Sequence, residues 1–398
     1  MDRRAVFFSP MCLFDNRSGA AISVRTLLEV LAEAGWEVEA YTATFCDGGT
    51  EAPLGALLGA EGARDIHRGK IIRRAYRGVM HNILHAGTTV AGKFSQEHAA
   101  RLAGYLFDSL QKRPADLALT YGGSTYSRQV QARVRPYARR LVFYLANDRY
   151  EDASLFAPMD AVLCPSVFLR EHYRETLGLD CHVIRDPITP DYFLGPGVRP
   201  PTDWDALRRH GLITYINPSP PKGGTLFVRL ALMALEQHPA LTFLVTEGRM
   251  SPAEWRASGV DIAGLPNVLW LPPQRDMRRI YQRTSVLLFP TFWREASGRT
   301  VAEAQLSAIP VVASDRGGVP EQLNGGGFCL PVPPECEADH TRVPTEDEVQ
   351  PWLDTLAGLL DDRETYHQAC ERALSASAPF HPERARPAAR ELLQRLAE

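Results

Sequence analysis

The chain has 398 residues, of which 45% are hydrophobic and 23% charged; it is too long for one ordinary core and suits two soluble α/β domains. Its formal charge of −3 argues against a dedicated nucleic-acid binder. Cys12, Cys46, Cys164, Cys181, Cys329, Cys336 and Cys370 form no C-x-x-C pair and no metal-spaced cluster with histidine, which argues against structural zinc and for reduced thiols in a cytoplasmic protein.

No stretch approaches the roughly 18 consecutive apolar residues of a membrane span, and the apolar run after Arg4 is too short for a signal peptide. Residues 4–10 (RAVFFSP) read as a first strand. The loop through Asn16, Arg17, Ser18 and Gly19 leads to a helix over about 20–34, with Ile22, Leu27, Leu28 and Leu31 on one side and Gly35 as its stop. Residues 36–44 (WEVEAYTAT) supply a second strand. Residues 47–95, rich in glycine and basic side chains, give no regular pattern. Within them Arg64, Arg68, Lys70, Arg73, Arg74 and Arg77 interleave with Ile66, Ile71, Ile72 and Tyr76; this is either a solvated, salt-bridged face or a peripheral contact for anionic lipid or a charged acceptor. His81 and His85 have no third ligand nearby and read as ordinary core or surface histidines. A helix over 96–112 and strands near 117–121, 140–146, 160–166 and 182–188 complete this half.

From Asp186 to Asp205 the chain carries Pro187, Pro190, Pro196, Pro200 and Pro201, a linker composition. Asp203-Trp204-Asp205 has a metal-binding D-x-D form but is set aside because it lies beside this linker. A second series of apolar runs follows at 212–218, 241–248, 267–273, 286–290 and 309–314, alternating with helices; amphipathic helices close the chain near 346–360 and 387–397. The fold class is α/β, with two Rossmann-like doubly wound domains. Neither half shows G-x-G-x-x-G after its first strand, which argues against a dinucleotide oxidoreductase.

The block 290–321 (PTFWREASGRTVAEAQLSAIPVVASDRGGVPE) is the richest in chemistry. A buried strand ends in Pro290, Ser297 is the expected N-cap of a helix over about 298–307, a second strand follows, and Gly317-Gly318 turns the backbone before Pro320 opens another helix. The first amides of a helix lack intrahelical partners, so those of Gly298, Arg299 and Thr300 suit an anion such as a diphosphate. Glu295 and Glu303, which a phosphate would repel, are better read as acceptors for sugar and ribose hydroxyls. Upstream, Lys222 in 217–224 (NPSPPKGG) is a cation in a Pro/Gly turn, where a solvated lysine is the ordinary reading.

This block resembles the donor-binding region of retaining glycosyltransferases of the GT-B fold, family-four type, and the resemblance extends weakly over nearly the whole chain. It implies an N-terminal acceptor-side domain over 1–187, a linker over 188–205, and a nucleotide-sugar domain over 206–379. The last helix, about 380–398, would pack back on the first domain. It also implies transfer of a hexosyl group from a nucleotide diphosphate sugar to an acceptor hydroxyl, with retention, front-face attack, and neither metal nor cofactor. Glu295 would face the sugar, Ser297 and Gly298 amides its hydroxyls, and Arg299 and Thr300 amides the diphosphate. Glu303 would take the ribose, backbone near Leu271 the base, and Gly19 would let the backbone approach the donor.

Lys222 matches a lysine of the family, which implies that its ammonium neutralises the leaving diphosphate; Asn217 stands where the family has an arginine, and Arg299 or Arg249 is the candidate replacement. Two family histidines are also missing, leaving Tyr121, Asn147 and Asp148 as acceptor-side candidates; a helix N-cap is the competing role for Asp148. The acceptor is open among a glycan, a lipid-linked sugar, a peptide and a small molecule. The missing cation and histidines motivate an alternative, a nucleotide-sugar-binding protein with impaired catalysis.

Overall fold

All five residues of the first strand are buried, and its side chains alternate between two cores. Ala5 and Phe7 join one apolar cluster, while Val6 and Phe8 join another on the opposite face. That two-sided burial marks a doubly wound sheet, and it explains why the strand reads as a continuous apolar run. The computed structural model describes residues 3–47, 51–59, 69–195, 204 and 211–398. They divide into two units: Met1–Pro187 with Ala385–Glu398, and Ile188–Arg384.

Unit 1 contains strands β1 (Arg4–Phe8), β2 (Glu37–Ala43), β3 (Ile71–Tyr76), β4 (Val79–Leu84), β5 (Ala115–Thr120), β6 (Ala138–Tyr144), β7 (Ala161–Cys164) and β8 (Cys181–Val183). Their order is β3-β4-β2-β1-β5-β6-β7-β8, and β3 alone among these runs antiparallel to its neighbour. On one face, helix Gly19–Glu33 packs with Ala389, Leu393 and Ala397 from the end of the chain. On the other lies helix Gln96–Lys112, whose start is fixed by a reciprocal capping box between Ser95 and His98.

The β3–β4 hairpin is what residues 47–95 conceal. Arg77 and Gly78 both take positive φ, 47° and 79°, as a two-residue hairpin turn requires. The basic cluster is partly turned inward. Arg74 donates to the Leu58 carbonyl and lies 4.6 Å from the Phe14 ring centroid, and Arg77 pairs with buried Glu29 at 3.4 Å. Lys70 and Arg73 are exposed; Arg64, Ile66 and Arg68 lie outside the described residues. His81 is fully buried on β4 beside Phe14, and neither ring nitrogen has a hydrogen-bond partner among the described residues.

Unit 2 contains β9 (Leu212–Ile216), β10 (Thr242–Thr246), β11 (Val268–Leu271), β12 (Thr284–Phe289), β13 (Val311–Ser314) and β14 (Phe328–Leu330), ordered β11-β10-β9-β12-β13-β14. Every pairing is parallel. Chain order reverses between β9 and β12, so the carboxyl ends of those two strands flank a crevice of the kind that binds ligands in open α/β sheets. The segment 188–194, expected to open a linker, instead packs within unit 2. Tyr192, Phe193 and Leu194 are buried, the Asp191 carbonyl accepts from the Met277 amide at 3.1 Å, and Leu194 N–H donates to Ser307 Oγ at 3.0 Å. Its aromatic side chains outweigh the proline-rich composition around it. Asp203 and Asp205 lie outside the described residues.

Candidate functional site

Two loops meet at the switch point. After β9 the chain makes a short 3-10 turn, Pro220–Lys222, and re-enters helix at Gly224–Gln237. After β12, the amides of Phe292 and Trp293 both donate to the Pro221 carbonyl, at 3.0 and 2.9 Å. This stitching brings the Lys222 ammonium to 2.5 Å from Glu295 Oε1. Thr291 Oγ1 donates to the same oxygen at 3.0 Å, and Tyr215 Oη holds the Lys222 carbonyl at 2.8 Å. Lys222 and Glu295, 73 residues apart, are therefore neighbours. Their side chains keep 19% and 11% exposure, so a ligand can reach them.

The backbone of Glu295 is fixed from behind. It bridges Gly317 as an isolated parallel pair, and its carbonyl accepts from Gly318 N–H at 2.8 Å. Gly317 has φ +61°, and a Cβ there would collide with the Glu295 backbone; only glycine combines that conformation with that approach. The helix that follows runs Arg299–Leu306, and its N-cap is Gly298, left-handed at φ 82° and ψ 51°, with no side-chain cap. Ser297 therefore does not cap it, contrary to the sequence expectation: a turn that must go left-handed selects glycine over the better hydroxyl. Ser297 and Gly298 sit buried just ahead of the helix, and the amides of Arg299 and half-buried Thr300 form its first turn.

Glu303, one turn further on, is 2% exposed. Tyr281 Oη donates to its Oε2 at 2.8 Å and Arg299 Nε to its Oε1 at 3.0 Å. Burial pushes its carboxyl up to about 7, against the pull of Arg299 and of the Tyr281 hydrogen bond. Arg299 is thus not a replacement cation for a phosphate: its guanidinium is buried, turned back to Glu303, and 5.3 Å from the Tyr192 ring centroid.

Asn217 links two loops. It takes φ +61°, its side-chain oxygen accepts from Arg249 N–H at 2.8 Å, and its own N–H donates to the Thr246 carbonyl at 2.9 Å. Its amide ties the β9 loop to the β10 loop, and asparagine tolerates the left-handed turn this needs. The Leu271 carbonyl accepts from Glu247 N–H at 2.8 Å, so β11 and β10 remain joined at their carboxyl ends. Thr291, Tyr281 and Tyr192 escaped the sequence reading, having no local pattern to mark them.

The family model for glycosyl transferases group 1 matches residues 212–362. Unit 2 carries a group 1 glycosyltransferase domain. Among curated relatives, the D-inositol 3-phosphate glycosyltransferase of Nocardia farcinica is 28% identical over 170 residues, 40% of this chain and 35% of its own. The corresponding enzyme of Corynebacterium efficiens is 28% identical over 156 residues, 37% of this chain and 33% of its own. The chain thus spans about a third of the length of these relatives. Solved structures show the GT-B fold across both units: a sucrose-phosphate synthase from Thermosynechococcus elongatus has a TM-score of 0.72 at 16% identity, covering 99% of each chain. Anabaena HepE, crystallised with UDP and glucose, has a TM-score of 0.68 at 15% identity, covering 99% of this chain and 100% of its own.

Alongside the glycosyltransferase domain, unit 1 holds the other candidates. Gly19 is the exposed first residue of its helix, and no atom lies within 4 Å of where its Cβ would stand. Tyr121 follows β5, with its ring 5.4 Å from that of Phe7, and burial holds its phenol protonated far above the ordinary range. Asn147 Oδ1 accepts from Arg149 N–H at 3.0 Å, and the Asp148 carbonyl is 3.2 Å from His172 Nε2. The short 3-10 turn Ala153–Phe156 is capped by Asp152, not by Asp148. Among the described residues no group of three or more His, Cys, Asp or Glu side chains is placed to hold a metal ion, and no helix is long and apolar enough to cross a membrane.

Proposed function

We propose that this chain transfers a sugar from a nucleotide diphosphate sugar to an acceptor hydroxyl, with retention at the anomeric carbon and without a metal ion or further cofactor. The observation that carries this reading is the Lys222–Glu295 pair beside the first turn of helix Arg299–Leu306. Lys222 supplies the cation, and the Arg299 and Thr300 amides the dipole end, for the diphosphate that leaves. Glu295, oriented by Thr291, accepts from a sugar hydroxyl. Glu303 takes the ribose. Front-face attack then needs no general base from the protein, because the departing phosphate oxygen receives the acceptor proton. Charge stabilisation of this kind contributes on the order of 3–4 kcal/mol per donor, or a factor of about 10²–10³ in rate.

The acceptor class stays open among a glycan, a lipid-linked sugar, a peptide and a small molecule. The commitment of Asn217 to the Arg249 backbone favours one second reading, a protein that binds the nucleotide sugar but transfers it poorly, because an uncharged, already bonded amide stands where the resemblance expects a cation. Proton NMR of the product decides stereochemistry: an α-linked donor should yield an α-linked product, at the same rate with EDTA present. A β-linked product, or loss of activity on chelation, overturns retention or metal independence respectively. Nucleotide binding with no transfer across an acceptor panel would leave the second reading standing.

A further inference from the structure

We propose that Arg299 is a positioning residue whose guanidinium holds Glu303 as an oriented carboxylate for the two vicinal hydroxyls of the donor's ribose. This rests on the donor-site reading above. An arginine in the first turn of a helix ordinarily points into solvent; Arg299 is 8% exposed and Glu303 2%. A buried ion pair of this kind is a poor stabiliser, because desolvation consumes most of the Coulombic gain, and an aliphatic side chain would fill the same space. What the pair supplies is geometry.

An ionised carboxylate has about four acceptor sites, two on each oxygen. Arg299 Nε occupies one on Oε1 and Tyr281 Oη one on Oε2. One site per oxygen is left by these two bonds, the number that a cis-diol needs. Arg299 is itself placed by the Tyr192 ring at 5.3 Å, contributed by the turn Pro190–Tyr192, and Tyr281 by the helical turn Arg278–Tyr281. The groups acting on the charge of Glu303 are Arg299 and Tyr281, with Tyr192 behind them. Burial disfavours the carboxylate and Arg299 restores it, so removing the guanidinium moves ionisation to higher pH.

The test is isothermal titration calorimetry on the full chain with UDP, GDP and ADP and their 2′-deoxy counterparts, between pH 6 and 8.5. In the wild type, the best ribonucleotide should bind at least about tenfold more tightly than its 2′-deoxy form, the weight of one hydrogen bond to a charged group. Its affinity should also rise with pH as Glu303 ionises. In Arg299→Met the ribose preference should largely vanish and the pH midpoint should move up. Arg299→Lys and Tyr281→Phe should fall between, and they carry the test if the methionine variant does not fold. A purely structural arginine would lower the unfolding temperature while leaving both the ribose preference and the pH midpoint at wild-type values, and that result overturns the proposal. If the wild type binds nucleotides with no ribose preference, the proposal also falls while the donor site stands. Failure to bind any of the three diphosphates overturns both.

Discussion

Glu303→Gln should change how the stability of unit 2 depends on pH. In the folded protein burial raises the Glu303 carboxyl from 4.5 to about 7. An acid raised on folding favours the folded state while protonated, so its contribution is fully present below the unfolded value and is lost as pH rises through the folded one. At about 1.4 kcal/mol per pKa unit, the wild type should lose about 2–3 kcal/mol between pH 5 and pH 8.5 through this group. Glutamine does not titrate, so the difference between the two proteins should change by that amount over the same interval, whatever pH-independent cost the amide imposes on Arg299 and Tyr281. Urea unfolding followed by tryptophan fluorescence reads it, since Trp204, Trp255, Trp270, Trp293 and Trp352 lie in unit 2 and only Trp36 in unit 1. Parallel stability curves for the two proteins from pH 5 to 8.5 would refute the assignment of Glu303 as a buried titrating carboxylate.

Three further substitutions probe the scaffold. Gly317→Ala should cost at least about 1–2 kcal/mol from the left-handed conformation alone and should also weaken nucleotide binding by displacing Glu295; unchanged binding would separate the two. Leu393→Ala, five positions before Glu398 but fully buried in the core of unit 1, should cost about 2–5 kcal/mol by denaturant unfolding of that unit. A loss below about 1 kcal/mol would mean that the last helix does not hold the core. His81→Leu removes two buried nitrogens that have no hydrogen-bond partner among the described residues, each a desolvation cost of about 1–3 kcal/mol, so the variant should be as stable as the wild type or more so.

Continuous apolar runs made the parallel strands legible: residues 286–288 and 311–314 are buried on both faces of the sheet, and burial of that kind leaves its mark in every residue. Lys222 and Glu295 were legible separately, each at the end of such a run, but their contact follows from the adjacency of β9 and β12, which no local pattern encodes. Short or charge-bearing strands were not legible. The strand Phe328–Leu330 has three residues, and the hairpin strand Ile71–Tyr76 carries Arg73 and Arg74 on an edge. The N-cap was misplaced because intrinsic preference favours Ser297, whereas the approach of the Gly317-Gly318 turn demands a backbone that Gly298 alone there adopts. The partners of Glu303 come from 22 residues upstream and from its own helix, and only the fold shows that the former reaches it.

Release of nucleoside diphosphate from a panel of UDP-, GDP-, ADP- and dTDP-sugars, compared between the wild type and Lys222→Ala, tests the central claim most directly. At least one donor should be turned over, and Lys222→Ala should slow it by about 10²–10³, the loss of one clamping charge. Turnover that survives Lys222→Ala undiminished would contradict the donor site described above.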